Sequence, residues 1–413
     1  MTETTLATPL TLKGGAEIPN RLMKSAMSEQ LGDAARNPLP GLAEVYRRWA
    51  EGGVGLCVTG NIMVDRSALG EPGNVVLDEE SDLESFRAWA AAGSAGGTQL
   101  WAQLNHPGKQ IPAFLSKEPV APSAIPLGQG LEKLFRTPRA LQEHEILAII
   151  KRYATAARLA QEVGFQGVQI HGAHGYLVNQ FLSSRHNQRE DRWGGSLENR
   201  TRFVLEVYAA IRSETGEGYP VGIKLNSADF MKGGFTEEES MQVVKALSEA
   251  GIDLIEISGG TYENPAMVGT EAKRELKEST RLREAYFLAY AEKARAFSSV
   301  PLAVTGGFRS AKGMQDALDS GATDLIGLAR PLAVVPDLPQ RVLADPDYRL
   351  DLGNPSTGIK ALDQAMGISI VWYEQQIHRL ANGKEPKLNL SAWRAVWATL
   401  CGMGGEAFRR RRA

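Results

Sequence analysis

Two imidazoles and a phenol follow one another where a β-rich run ends. In "GVQIHGAHGYLVNQF" (Gly167–Phe181), Val168 and Ile170 are β-branched, and His171, His174 and Tyr176 come next, broken up by Gly172 and Gly175. Three kinds of chemistry fit this spacing. A His-x-x-His pair can ligate a metal, but a catalytic zinc wants a third protein ligand, and no His-x-His or His-Glu pair stands near another strand end. The pair can be structural, with both rings satisfied by loop carbonyls. It can also present two N–H donors to one oxygen, an arrangement that stabilises negative charge as it develops on a carbonyl.

The elements around these residues decide where they sit. Short β-rich runs alternate with longer helical patterns, and the spacing predicts strands over Arg21–Met27, Val54–Thr59, Thr98–Leu104, Gly167–His171, Pro220–Asn226, Ile252–Ser258, Pro301–Thr305 and Thr323–Ala329. Helices are predicted over Asp82–Ala95, Glu143–Val163, Leu197–Arg212, Thr236–Ala250 and Arg281–Phe297, with Ser196 and Thr236 as N-caps ahead of acidic first turns. Eight strands alternating with helices favour an α/β fold of the (β/α)8 TIM-barrel kind, whose active site is built at the C-terminal ends of the strands. Those ends carry Ser25–Ser28, Gly60–Asn61, Gln103, His171 and His174, Lys224 and Asn226, and Arg330. The last two strands run into "VTGGFRS" and "LIGLARPL", where glycines, helix starts and Arg330 suit a phosphate.

Insertions explain a barrel longer than the usual size. Asn105–Leu141 carries six prolines and reads as a capping loop after strand three, and Leu182–Ser196 is a second insertion after strand four. The barrel is expected to occupy residues 1–350. Residues 351–413 are expected to form a helical extension that packs on the barrel or on a partner subunit, since it holds Trp372, Trp393 and Trp397 and a C-cap at Asn382–Gly383. A homo-oligomer through this extension is one expectation.

Composition narrows the class further. A chain of 413 residues, 43% hydrophobic, can bury a large core, and its formal net charge of −2 gives no general attraction to nucleic acid. The Arg409–Arg412 run reads as a solvated tail. Cys57 and Cys401 are the two cysteines, Cys57 in an apolar run. They form no disulfide framework and no cluster site, which points to a reducing cytoplasm. "MTETTLATPL" shows neither the basic start nor the apolar core of a signal peptide, and no run is long enough to span a membrane.

The order of motifs adds a resemblance. "PNRLMKSAMSE", "WAQLNHPGKQ", "QIHGAHGYLVNQFLS" with its following "WGGSLENR", "VGIKLNSADF", "VTGGFRS" and "GLARPL" resemble the Old Yellow Enzyme family of FMN-dependent ene-reductases, from about Pro19 to Pro336. The resemblance implies an FMN-binding (β/α)8 barrel that takes electrons from NADH or NADPH and reduces the C=C bond of an α,β-unsaturated carbonyl or nitro compound. It implies that Ala26, Met27 and Ser28 lie along the flavin and that Gly60 passes close to the ring. Gln103 would bond the pyrimidine side, and Gly306, Gly307, Ala329 and Arg330 would hold the phosphate. His171 and His174 would bind the substrate oxygen, and Tyr176 would be the proton donor. Lys224 stands where many relatives have Arg beside flavin N1 and O2, a compact charge in place of a planar fork. No metal is expected. A metal-dependent barrel hydrolase and a non-catalytic flavin-binding protein are the rival readings. His106 and Tyr262 are candidates for the pocket wall, whereas Arg200 and Arg202 in "GGSLENRTRF" and His144 and His378 are expected to be structural or surface residues.

Overall fold

The structure is a computed structural model that describes residues 4–128, 130–261, 263, 287–353, 355–365, 367–398 and 400–401. Eight parallel strands close on themselves: β1 (Leu22–Lys24), β2 (Leu56–Met63), β3 (Gln99–Asn105), β4 (Gly167–Gly172), β5 (Val221–Asn226), β6 (Leu254–Ser258), β7 (Leu302–Thr305) and β8 (Leu325–Leu328). Each pairs with the next, and β8 returns to β1 with Ile326 opposite Leu22 and Leu328 opposite Lys24. The helices α1 (Pro40–Glu51), α2 (Leu83–Gly93), α3 (Glu143–Glu162), α4 (Leu197–Thr215), α5 (Glu237–Ala250), α6 (Leu288–Ala294), α7 (Ala311–Asp319) and α8 (Leu338–Ala344) follow the strands in turn. This is the (β/α)8 barrel. The predicted N-caps hold: Ser196 accepts from Asn199 N–H, and Thr236 and Glu239 form a reciprocal capping box. The predicted helix over Arg281–Phe297 lies partly outside the described residues, as do Tyr262 and the Arg409–Arg412 run.

Alternation along the strands sorts the side chains. Val168, Ile170, Ile223, Leu225, Ile255 and Ile257 point outward into the layer between strands and helices, and all are fully buried there. The inward set changes character along the barrel axis. At the start of the strands Met23, Leu56, Val58, Trp101, Leu254, Ala303 and Leu325 form a closed apolar plug, sealed by Leu12 and Ile18 from an N-terminal hairpin (Leu10–Thr11 with Glu17–Ile18). Two residues further along, the inward positions are Ser25, Gln103, Gln169, Glu256 and Thr305, every one polar. Gly327 shares that layer because it must: a Cβ there would meet Thr305 Oγ1 at 1.9 Å and Ser25 Oγ at 2.7 Å. His171, Asn226 and Ser258 follow toward the mouth.

Two segments frame the mouth. The capping loop after β3 pairs Val120–Ala121 with Arg139–Ala140. It is fastened by buried Lys109, whose Nζ reaches Ile125 O (2.9 Å) and His186 Nδ1 (2.9 Å), and by Gly128 N–H donating to Glu263 Oε1 (2.9 Å). In the tail, the helix Ile368–Ala381 lies against α1 so closely that a Cβ on Gly41 would be 2.9 Å from Ala381 O. Trp372 is buried and donates to Leu390 O (2.8 Å), and Ile368, Ile377, Leu380 and Val396 of the tail join the core with it, while Trp393 (50% exposed) and Trp397 (71% exposed) stay largely open. Among the described residues no helix is long and apolar enough to cross a membrane.

Candidate active site

His171 closes β4, and the chain then turns sharply so that His174 and Tyr176 come back beside it. The ring centroids of His171 and His174 are 5.1 Å apart, and those of His171 and Tyr176 are 4.7 Å apart, both edge-on. The turn puts His174 at φ +62°, a left-handed conformation that is uncommon for a side chain of this size. It is held there from three sides: His174 N–H donates to Asn226 Oδ1 (3.1 Å), Gln110 Nε2 donates to His174 O (3.0 Å), and Gly175 N–H donates to Asn179 Oδ1 (2.7 Å). Burial, followed by the Lys224 charge, pulls the His171 imidazole well below its usual pKa. Burial, His171 and Lys224 do the same to His174. Both rings are therefore neutral near pH 7, each with one proton to place. His171 Nδ1 accepts from Ala173 N–H (3.3 Å), which leaves its proton on Nε2. His174 Nε2 lies 2.8 Å from Ser258 Oγ on β6, so a Ser258 hydroxyl donating there leaves the His174 proton on Nδ1. Among the described residues no group of three or more His, Cys, Asp or Glu is placed to hold a metal.

Lys224 is not a surface lysine. It is 3% exposed, and its Nζ lies 2.8 Å from Oε1 of the fully buried Glu256. Glu256 also accepts from Thr305 Oγ1 (2.7 Å) and Gln169 Nε2 (2.8 Å), and Gln169 Oε1 accepts from Gln103 Nε2 (2.7 Å). Burial raises the Glu256 carboxyl, but Lys224 and the three hydrogen bonds outweigh it and hold the group below the usual carboxylate range. The Lys224 charge thus has a buried counter-ion. Glu256 and Gln169 did not stand out among the strand-end residues, although the period-two alternation of "GVQIHG" and "LIEIS" places both on the inward face.

Past β1, Ala26 and Met27 are half-buried at the edges of the two cores, and the Ser28 hydroxyl donates to Glu71. Glycine at 60 is required by protein packing, since a Cβ there would lie 2.3 Å from Met27 O and 1.9 Å from Glu29 Oε2. Glu29 is fixed by Tyr46 OH (2.5 Å) and by Lys24 Nζ (3.3 Å). Across from Ser28, Glu374 on the tail helix accepts from Gln30 Nε2 (3.2 Å). Burial, and after it the Glu71 carboxyl, push Glu374 up to about 8. The folded protein then holds a proton that the unfolded chain releases near pH 4.3. Stability attached to this group is full at low pH and is lost as pH rises through the folded value. Thermal melts of the parent are expected to fall from about pH 5 to about pH 8 and to level off above that, with Glu374→Gln flattening the fall. An equal fall in both proteins counts against a shared proton at this place.

Gly306 and Gly307 follow β7 with φ of +110° and +98°, and Arg330 opens a short helix (Arg330–Val334) directly after Ala329. Its guanidinium lies 5.9 Å from the Tyr373 ring centroid. The predicted helix start after β7 comes later than the glycines: α7 begins at Ala311, and Ser310 already caps it by accepting from Gly313 N–H (3.1 Å). His106 is held by the protein itself. It is 1% exposed, its Nδ1 accepts from Gly108 N–H (3.1 Å), and its Nε2 faces Asp65 at 3.8 Å. Arg200 bonds Leu182 O and Glu239, Arg202 bonds Arg192 O (2.9 Å), and His378 meets Glu29 O at 2.7 Å, all structural roles.

Residues 5–346 match the NADH:flavin oxidoreductase / NADH oxidase family, and the chain belongs to that family. It is 38% identical over 393 residues to the NADH-dependent flavin oxidoreductase iliE of Hypocrea jecorina, covering 89% of this chain and 97% of that one. An old yellow enzyme homologue from Zymomonas mobilis superposes with a TM-score of 0.69 at 26% identity, over 84% of this chain and 94% of the other. A 2-naphthoyl-CoA reductase superposes with a TM-score of 0.75 at 29% identity over 83% of this chain, which spans about half (52%) of that longer protein. The protein is an NAD(P)H-dependent flavin oxidoreductase of the Old Yellow Enzyme type, with FMN as the family's cofactor.

Proposed function

We propose that the protein reduces the C=C bond of α,β-unsaturated carbonyl or nitro compounds, taking electrons from NADH or NADPH in a ping-pong sequence in which oxidised nicotinamide leaves before the substrate enters. The observation that carries this reading is the pair of buried imidazoles at 5.1 Å, with Ala173 N–H at His171 Nδ1 and the Ser258 hydroxyl at His174 Nε2. Two N–H donors at one oxygen draw electron density from a conjugated alkene and make its β-carbon the electron acceptor.

The residues present suit FMN. Among the described residues no hydrogen bond reaches Gln103 Oε1, which leaves an amide acceptor for a flavin imide N–H beside the cationic Lys224. Ala26, Met27, Ser28 and Gly60 would line the ring, and Gly306, Gly307, Ala329 and Arg330 would take the phosphate by backbone approach and by the guanidinium fork. FMN, when bound, supplies the hydride chemistry. His171 and His174 hold the substrate oxygen and fix the alkene's position. Tyr176, edge-on to His171 at 4.7 Å, is the chain's candidate to deliver a proton to the α-carbon. The test is anaerobic: purified yellow protein is expected to bleach with NADH or NADPH and to recover its colour on adding cyclohexenone or a nitroalkene. Bleached protein that no such acceptor recolours defeats the substrate class, and colourless protein that hydrolyses a substrate only with zinc defeats the flavin reading altogether.

A further inference from the structure

One buried carboxylate governs the polarity of the whole middle layer of the barrel. An ionised Glu256 can only accept hydrogen bonds. Gln169, 2.8 Å away, must therefore present its NH2 to Glu256 and its carbonyl to Gln103. Gln103 must answer with its own NH2 at 2.7 Å, so its carbonyl is left for the mouth. In the other direction the Thr305 hydroxyl donates to Glu256 at 2.7 Å, so Ser25, 2.7 Å from Thr305 Oγ1, must be the donor in that bond. The orientations follow from the charge and do not depend on how any amide is drawn. Side chains from six strands are set in this way: Ser25 on the turn out of β1, Gln103 on β3, Gln169 on β4, Lys224 on β5, Glu256 on β6 and Thr305 on β7.

We infer that Glu256 is a positioning residue for the flavin, with two effects that rest on the proposed placement of FMN over Gln103 and Lys224. Through Gln169 it locks the Gln103 carbonyl toward the flavin imide N–H. Through its 2.8 Å contact with Lys224 it offsets the cation, so that the flavin meets a neutral pair where a lone lysine would favour added negative charge. Removing the carboxylate frees both amides to flip and exposes the lysine charge. Removing the lysine leaves an uncompensated carboxylate under the ring.

The test uses holoprotein and reads two quantities besides activity: the midpoint potential of bound FMN and the FMN dissociation constant. Glu256→Gln is expected to raise the potential and to weaken FMN by about tenfold, the loss of one fixed hydrogen bond. Lys224→Met is expected to lower the potential, and the Lys224→Met/Glu256→Gln double variant to return near the parent. The exchange Gln169→Glu/Glu256→Gln keeps one carboxylate in the layer, and that carboxylate still forces Gln103 to donate. It is expected to restore the parental FMN affinity, with the potential lying between those of Glu256→Gln and the parent, because the charge no longer touches Lys224. A folded Glu256→Gln protein with parental potential and affinity overturns the inference. So does a double variant as low in potential as Lys224→Met alone, a comparison that stands if Glu256→Gln by itself does not fold. A parent that takes up no FMN removes the underlying reading instead, and a parent that loads FMN with variants indifferent to these changes removes only the role of Glu256.

Discussion

Replacing His171 with alanine is expected to slow enone reduction by roughly 10²–10³-fold, the usual cost of one donor to a developing oxyanion, and His174→Ala to cost a similar factor. The reason lies in how the two protons are placed. Ala173 N–H occupies His171 Nδ1, and Ser258 sits at His174 Nε2, so each ring has one nitrogen fastened to the protein and one left to donate. Phenols make the most direct probe. They should bind the oxidised holoprotein as phenolates, because the two donors stabilise the anion, and stacking over the flavin should give a long-wavelength absorption band. Both histidine variants should lose that complex. Flavin reduction by nicotinamide should change less, since it develops no oxyanion at this place. Ser258→Ala should weaken phenol binding through His174 alone and leave the His171 contribution intact. Tyr176→Phe should keep the phenol band while turnover falls. Because burial and Lys224 hold both imidazoles well below their usual pKa, phenol binding should show no histidine titration between pH 6 and 8. Full enone turnover and full phenol affinity in both histidine variants would sink the oxyanion reading even in a yellow protein.

The strands and the inward positions of the candidate site were legible because both obey a period of two. Outward Val168 and Ile170 or Ile255 and Ile257 must be apolar to meet the helices, so the eight runs announce themselves, and every predicted strand contains or overlaps an observed one. The same alternation fixed the inward positions of Gln103, His171 and Lys224. It held the information for Gln169 and Glu256 as well. What it could not show is that Glu256 lies beside Lys224, because that contact joins neighbouring strands across 32 residues. The N-terminal hairpin was missed because its two-residue strands carry no period. Glu374 was beyond reach for a different reason: its approach to Ser28 and Gln30 depends on where the tail helix docks, 344 residues from Gln30.

Arg330→Ala is the second large effect expected, and riboflavin is the control that makes it specific. A charge-assisted contact to phosphate is worth about 1.5–3 kcal/mol, so FMN should bind roughly 10- to 100-fold more weakly in the variant. Riboflavin has the same ring and no phosphate, and its affinity should barely change. The geometry raises a competing account that has to be separated. The Arg330 guanidinium also lies 5.9 Å from the Tyr373 ring centroid, and Tyr373 belongs to the tail helix that packs on α1. Truncating Arg330 therefore removes a cation–π contact of roughly 0.5–1 kcal/mol and could loosen the tail. Tyr373→Leu removes that contact while leaving the guanidinium in place. If the phosphate role is correct, Tyr373→Leu lowers the melting temperature of the apoprotein and leaves the ratio of FMN to riboflavin affinity near the parental value, whereas Arg330→Ala collapses that ratio. Arg330→Lys should fall between them, because it keeps the charge and loses the two-pronged donor. Dialysis of the holoprotein followed by flavin absorbance gives the simplest reading. An Arg330→Ala protein that retains FMN as tightly as the parent, or that loses riboflavin in the same proportion, shows that Arg330 does not hold the phosphate.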